Sequence, residues 1–345
     1  MSGPLSDITV VDFSELLPGP FMTNALNEMG AKIIKVERPK GDPLRKMSPG
    51  MFAAVNSGKV SVNLDLKTAE GAAQAMELCK TADVVVEGFR PGVMARFGLG
   101  PQDVVSTHPS VIYVSLSGYG QTGPLVDEPG HDINYLATSG VLSISGQADG
   151  PPEMSFGLPV ADLTGAMFGV SAISAALFDR TRTGLGQSID LSLTDCMAYL
   201  ANPRRGMFSD AAAVTPDAQR QMSQTRPAYG VFSCLDGAIT VAALEDHFWQ
   251  ALTQAVDMGP YADAKYGSIS RRWPVANDIN AFIQSKTGTE KKHGLLKRLA
   301  AKDVPAADVL SLNEAIASRH FQARKLSVPE NDPPMVRFPV RLSGM

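Results

Sequence analysis

Cysteine is scarce in this chain of 345 residues. The three present, Cys79, Cys196 and Cys234, stand far apart and form no C-x-x-C. That argues against a disulfide framework and against a thiolate metal site, and they read as buried apolar thiols of a reducing compartment. An excess of basic charge is also lacking. Asp and Glu number 35 against 31 Lys and Arg, for a net charge of −4. No broad nucleic-acid surface is expected, although a local basic pocket remains open. Apolar runs of bilayer length are absent. The nearest, Ala161 to Phe178, is interrupted by Asp162, Thr164 and small residues, and reads as a buried core helix. Met1 to Leu5 has neither the basic nor the apolar region of a signal peptide, and Leu342 to Met345 is no peroxisomal address. The expected location is cytoplasmic, with no membrane partner. Glycine-rich phosphate loops are missing as well. There is no G-x-x-x-x-G-K-[ST], and no complete G-x-G-x-x-G follows the first apolar segment.

What is present is ordinary globular material, 44% hydrophobic and 19% charged. The first 120 residues alternate between strand and helix patterns. Ile8 to Phe13, Ala31 to Val36, Val60 to Leu66, Asp83 to Glu87 and Val111 to Leu116 read as strands. Phe21 to Met29 and Thr68 to Ala82 read as helices, the first closed by Gly30 and the second capped by Thr68. Such alternation predicts an α/β fold, a Rossmann-like parallel sheet covered on both faces. Ligands of such sheets bind beyond the carboxyl ends of the strands.

From Gly130 to Arg182 the pattern is helical, broken by a loop from Gly146 to Pro159. Gln187 to Leu191 reads as a strand and Thr194 to Ala201 as a helix. The polar stretch 202–227 has no strong period and reads as a linker. A smaller α+β domain over 228–319 is expected after it. It would open with a hairpin, Tyr229 to Cys234 and Ala238 to Ala242, around Asp236-Gly237. Helices over Asp246 to Val256 and Thr287 to Lys302 would follow, then a strand at Ala306 to Leu310 and a helix at Leu312 to Ala317. The large domain is placed at 1–201, with 320–345 returning to it.

Arg38, Lys67, Arg90 and Arg96 fall just after predicted strands or one helical turn beyond. Guanidinium forks suit phosphate. Scattered surface cations would look the same at this level. The densest chemical segment is Gly130-His131-Asp132-Ile133-Asn134-Tyr135. Unpaired N–H groups where a helix begins can stabilise a developing oxyanion, and an imidazole beside them can move protons. Asp162 and Glu245 also sit at predicted helix starts, where the dipole favours carboxylates. Each has a plainer role open to it: Asp132, Asp162 and Glu245 as first-turn or capping acids, His131 as a structural histidine.

Longer motifs weigh on that choice. Glu37-Arg38-Pro39, Glu87-Gly88-Phe89-Arg90-Pro91-Gly92, Gly118-Tyr119-Gly120-Gln121-Thr122-Gly123-Pro124 and Phe178-Asp179-Arg180-Thr181-Arg182-Thr183-Gly184 resemble the class III CoA-transferase (CaiB/BaiF) superfamily. The resemblance runs from Leu5 to about Ala201, from Tyr229 to Trp249 and from Pro305 to Ala323. Two activities occur in that superfamily, and both use the aspartate found here as Asp162. In the transferases it is a nucleophile that forms acyl anhydride and CoA thioester intermediates. In the α-methylacyl-CoA racemases it is an acid/base partnered by a histidine. The Gly130 to Tyr135 run resembles the racemase signature, and Glu245 corresponds to the glutamate that supports the histidine. The glycine-rich lid of formyl-CoA transferases is not visible.

The resemblance therefore implies epimerisation of 2-methylacyl-CoA thioesters by His131 and Asp162 through an enolate, with the Asp132 N–H on the thioester oxygen. The alternative is transfer of CoA between carboxylic acids on Asp162. Arg38, Leu64, Asp65, Leu66, Lys67, Gly88, Phe89, Arg90 and Arg96 would hold the CoA, joined by Gly130, Ile133, Asn134 and Tyr135. No cofactor beyond the CoA moiety of the acyl-CoA substrate is implied, and the chain would act as an interlocked homodimer. Where those racemases carry a glycine-rich lead into the small domain, this chain has Gln224-Thr225-Arg226-Pro227-Ala228-Tyr229. The acyl group is left open.

Overall fold

The computed structural model describes residues 3–147, 150–154, 157–328 and 335–340. Of the expected returning segment 320–345, residues 320–328 and 335–340 fall among these, and Leu342 to Met345 lie outside them. The described residues divide into two compact units, one within 1–143, 154–207 and 322–345, the other within 144–153 and 208–321.

The first unit is built on six strands. They are β1 (Thr9–Asp12), β2 (Lys32–Glu37), β3 (Val60–Asn63), β4 (Val84–Glu87), β5 (Ile112–Ser117) and β6 (Ser188–Ser192). All pair in parallel, in the order β3-β2-β1-β4-β5-β6. This is the expected doubly wound, Rossmann-like sheet, and its strand order reverses between β1 and β4. Helices cover both faces, which is why the central strands are apolar without alternation. Val84 and Val86 join Val10, Ile33 and Val114 on the face packed by α1 (Pro18–Glu28). Val85 joins Val11, Phe13 and Tyr113 on the other face, with Ala75 and Cys79 of α2 (Ala69–Lys80). Burying each such valine contributes roughly 1.5–3 kcal/mol. Thr68 caps α2 as expected, its hydroxyl accepting the Gly71 N–H at 3.0 Å.

α3 (Asp132–Thr138), α4 (Val160–Thr183) and α5 (Leu193–Leu200) complete this unit's main helices. α4 has the length and mean hydropathy of a membrane-crossing helix. Its residues Ala161, Ala166, Val170, Ile173 and Leu177 belong to the core under the sheet, as the sequence suggests for a core helix. Glycines allow the close fit: a Cβ at Gly165 would overlap Leu193, and one at Gly169 would overlap Met22 of α1 and Leu191 of β6.

The stretch 202–227 differs from the expected aperiodic linker. It carries α6 (Asn202–Asp210) and α7 (Pro216–Gln224), and α7 is capped by the Thr215 hydroxyl, which accepts the Ala218 N–H at 3.2 Å. Both helices are short and mostly polar and carry no apolar stripe, so a search for apolar period passes over them.

The second unit has an antiparallel sheet of β7 (Tyr229–Cys234), β8 (Gly237–Ala242) and β9 (Ala306–Asp308). Helices α8 (Asp246–Ala255), α9 (Ala276–Thr287) and α10 (Lys292–Ala300) belong to the same unit. Trp249, Leu252, Ile239, Ile283, Leu295 and Leu299 form its core. The single helix expected over Thr287 to Lys302 is corrected. α9 ends at Thr287 with Gly288 as C-cap, and α10 starts only after Lys291.

Candidate active site

Two cavities open at the carboxyl ends of the strands, beside the point where the strand order reverses. The first, of about 620 Å³, is lined by Phe13 and Glu15 after β1, Glu37 to Lys40 after β2, Leu64 to Lys67 after β3, and Phe89, Val93, Arg96 and Phe97 after β4. It gathers Arg38, Leu64, Asp65, Leu66, Lys67, Phe89 and Arg96 of the expected CoA residues, and adds Lys40. Arg38 is already engaged, its Nε 3.0 Å from Glu15 Oε1 and its Nη2 donating to Oε2 at 3.1 Å. Among the described residues Lys40, Lys67 and Arg96 have no carboxylate partner, so three cations are free to meet anionic oxygens.

A network missed in the sequence holds this rim. Lys35 is fully buried, donates to the Ser14 carbonyl at 2.8 Å, and lies 3.0 Å from Asp42. Lys59 donates to Thr23 at 2.7 Å and sits 3.3 Å from Asp12. Ser14 and Thr23 both donate to Asp12. Burial opposes charge on Asp12, but Lys59, Lys35 and the two hydroxyls outweigh it and hold its carboxyl below the ordinary value. Burial pulls the Lys59 ammonium down to about 8. Buried charges without partners would be costly, so the pairs lock the loops that follow β1 and β2. The available signal was a lysine inside the apolar run Ile33-Ile34-Lys35-Val36.

The second cavity, of about 500 Å³, is lined by Gly88 to Pro91 after β4, Ser117 to Tyr119 after β5, and Val126 and Glu128 through His131, Asn134 and Tyr135. It brings together Gly88, Phe89, Arg90, Gly130, His131, Asn134 and Tyr135 of the expected site residues. Ile133 lines neither cavity and its side chain is 44% exposed. His131 is the N-cap of α3, and its backbone N–H donates to the Asn134 side chain at 3.0 Å. Asp132 is the first helical residue, where the N–H has no acceptor within the helix. Tyr135 donates to the Gly130 carbonyl at 2.6 Å and packs edge-on against Tyr119. Gly118 permits this, since a Cβ there would overlap the Tyr135 ring.

Asp162 lies in the first turn of α4, following Pro159 as N-cap. Its backbone N–H donates to Asp132 Oδ1 at 3.0 Å, which ties the start of α4 to the start of α3. Burial, with the negative Asp132 nearby, pushes its carboxyl up to about 7. Among the described residues no hydrogen-bond donor meets that carboxylate, and it is absent from the lining of the cavity that holds His131. A half-ionised, unshared carboxylate near neutral pH can act as a nucleophile or as an acid/base.

Glu245 belongs to the second unit, where it is the exposed N-cap of α8. Its turn is fixed by Arg272, fully buried, which donates to the Leu244 carbonyl at 2.7 Å and to Asp246 at 2.9 Å.

The chain matches the sequence profile described as CoA-transferase family III over residues 5–345. It is 34% identical over 344 residues to a succinate–glutarate CoA-transferase of Agrobacterium fabrum, covering 94% of this chain and 84% of that one. It is 37% identical over 255 residues to the human α-methylacyl-CoA racemase, covering 74% of this chain and 65% of the relative. A crystal structure of a CaiB/BaiF family protein from Brucella suis superposes with a TM-score of 0.88 at 30% identity, over 100% of this chain and 94% of that one. With the parallel sheet, the cationic rim and the unshared Asp162 in place, these similarities establish that the chain belongs to CoA-transferase family III.

Proposed function

We propose that the protein is a CoA-transferase that moves CoA between carboxylic acids with Asp162 as the carrier. The observation that carries the reading is the Asp162 carboxylate itself: half-buried, pushed up to about 7, and without a hydrogen-bond donor among the described residues. A transferase asks for one such carboxylate. One of its oxygens attacks the thioester carbonyl, a C–O bond forms, the C–S bond breaks, and CoA leaves as thiolate. The thiolate then attacks the aspartyl carbonyl of the anhydride, giving an Asp162–CoA thioester and releasing the first acid. The acceptor carboxylate attacks the Asp162 thioester carbonyl and expels CoA as thiolate, and the thiolate then attacks the acceptor carbonyl of the new anhydride, which forms the product thioester and frees the Asp162 carboxylate. The Asp132 N–H at the start of α3 is the proposed donor to the oxyanion. Arg38, Lys40, Lys67 and Arg96 are the proposed contacts for the CoA phosphates. The relative matched over most of both chains is also a transferase, whereas the racemase match covers less of each.

Epimerisation of a 2-methylacyl-CoA remains the second reading, because His131 lines a cavity at the start of α3. It needs His131 and Asp162 on opposite sides of one carbon. In that reading an interlocked homodimer would bring Glu245 of one copy to His131 of the other.

Incubating an acyl-CoA in D2O, with and without an acceptor acid, separates the two. Transfer predicts a new acyl-CoA only when acceptor is added, no deuterium at the α-carbon, and a His131→Ala variant that retains transfer within about tenfold. Deuterium entering the α-carbon without acceptor, abolished by His131→Ala, would replace the transferase reading with the racemase one.

A further inference from the structure

The peptide groups on either side of Glu15 are both held by the buried Lys35–Asp42 pair. Lys35 Nζ donates to the Ser14 carbonyl at 2.8 Å, and the Leu16 N–H donates to Asp42 Oδ1 at 3.4 Å. The Ser14 N–H donates in turn to Asp12 Oδ1 at 3.0 Å. Leu16 takes a φ of 64°, a left-handed backbone that a leucine keeps only where its surroundings impose it. The backbone that presents Glu15 is therefore fixed on both sides, and the residue is half-buried in the lining of the larger cavity.

The Glu15 carboxylate meets Arg38 side-on. Oε1 takes Nε at 3.0 Å and Oε2 takes Nη2 at 3.1 Å, while Nε also reaches the Gly41 carbonyl at 3.3 Å. The end-on edge of the same guanidinium is left over, since among the described residues Nη1 has no partner. Arg38 is exposed, and an ion pair of that kind adds little to stability. What the pair changes is the arginine. A guanidinium gripped at Nε loses the freedom of a long side chain before any ligand arrives, and it still offers parallel N–H groups of Nη1 and Nη2 to a phosphate. A mobile glutamate would compete with that phosphate for the arginine, whereas one anchored on the Nε side orients it.

We propose that Glu15 is a positioning residue for coenzyme binding: anchored by the Lys35–Asp42 pair, it sets the Arg38 guanidinium so that the end-on edge receives a phosphate of CoA. The inference rests on the reading of this cavity as the CoA site. It holds for transfer and for epimerisation alike, because both use a CoA thioester.

The test is calorimetric titration with CoA of the wild-type chain, Glu15→Gln, Arg38→Ala and the double variant. Arg38→Ala raises the Kd on the order of 10- to 100-fold. Glu15→Gln raises it by about 3- to 10-fold, the scale of one long side chain left to be ordered on binding. In the Arg38→Ala background the same Glu15→Gln change leaves the Kd where it is or lowers it by about twofold, because there Glu15 is only a negative charge near an anion. In turnover, Glu15→Gln raises the KM for acyl-CoA and leaves kcat in place. Thermal melting of Glu15→Gln matches the wild type.

A Kd unchanged or lowered by Glu15→Gln in the otherwise wild-type chain would overturn the proposal, a lowered one making Glu15 a competitor for Arg38. So would an equal loss in both backgrounds, which would mean that Glu15 acts without the arginine. An Arg38→Ala variant that binds CoA as tightly as the wild type would remove the reading of the cavity as the CoA site, and this inference would fall with it. That failure shows in the Arg38 variant alone, whereas the others show in what Glu15→Gln does.

Discussion

At the end of β4 the Glu87 carboxyl accepts the Phe89 N–H, and the Ser115 hydroxyl also favours its ionised form. At the start of α4 the Asp162 carboxyl receives no donor among the described residues, and its like-charged neighbour Asp132 adds to the effect of burial. Both groups are pushed up to about 7, and burial leads in both cases. A perturbed carboxyl alone therefore says little about chemistry. The Glu87 oxygens are committed to shaping the Gly88-Phe89-Arg90 turn, whereas the Asp162 oxygens are uncommitted. The difference lies in hydrogen bonds, not in affinity for protons, and it can be probed from both sides.

The largest effect is expected at Asp162. Asp162→Asn should lower CoA transfer by about 1,000-fold or more, measured by product formation under saturating acceptor. A carboxyl whose pKa rises on folding, here from 3.8 to about 7, weakens the fold progressively as pH climbs through that window. Asp162→Asn should therefore raise stability at pH 8 by about 1–3 kcal/mol in urea unfolding, with the gain fading toward pH 4.

Glu87→Gln comes next. The ordinary value of 4.5 lies below the folded one of about 7, so the sign is the same. Stability at pH 8 should again rise by about 1–3 kcal/mol and the gain should fade toward pH 4. The contrast is in rate: the ascending limb of transfer near pH 7 should stay where the wild type has it. A limb that moved with Glu87→Gln would mean that the committed carboxyl, not Asp162, governs the reaction.

The smallest effect is expected for Asp132→Asn. The amide oxygen can still accept the Asp162 N–H, but the like charge is gone, so the Asp162 carboxyl ionises more easily. The limb of the pH–rate profile should move down by about half to one unit, a shift limited by burial being the larger cause.

The sheet was legible because its strands are apolar runs bounded by turns and separated by helical segments. Helices α1 and α2 announced themselves through Gly30 and Thr68. α6 and α7 did not, because short, mostly polar helices carry no apolar period. The Lys35–Asp42 and Lys59–Asp12 pairs stayed hidden for a different reason. Their partners are far apart in sequence, and only the fold brings them into one buried cluster. Among site residues, the cations of the rim could be named from their positions after strands. Their division between two cavities, which isolates Arg90, could not, because it depends on where the α3 segment closes over the end of β5. His131 and Asp162 were visible as candidates only through family resemblance, since any acid or histidine at a helix start has a capping role to fall back on. The structure links their segments through Asp132 and leaves the Asp162 carboxylate unshared.

A carrier role requires that Asp162 be covalently acylated during turnover. Mass spectrometry of the protein incubated with acyl-CoA and then hydroxylamine addresses it directly. A hydroxamate is expected on the peptide that contains Asp162, dependent on acyl-CoA and absent from Asp162→Asn. An unmodified Asp162 in enzyme that is actively transferring CoA would contradict it.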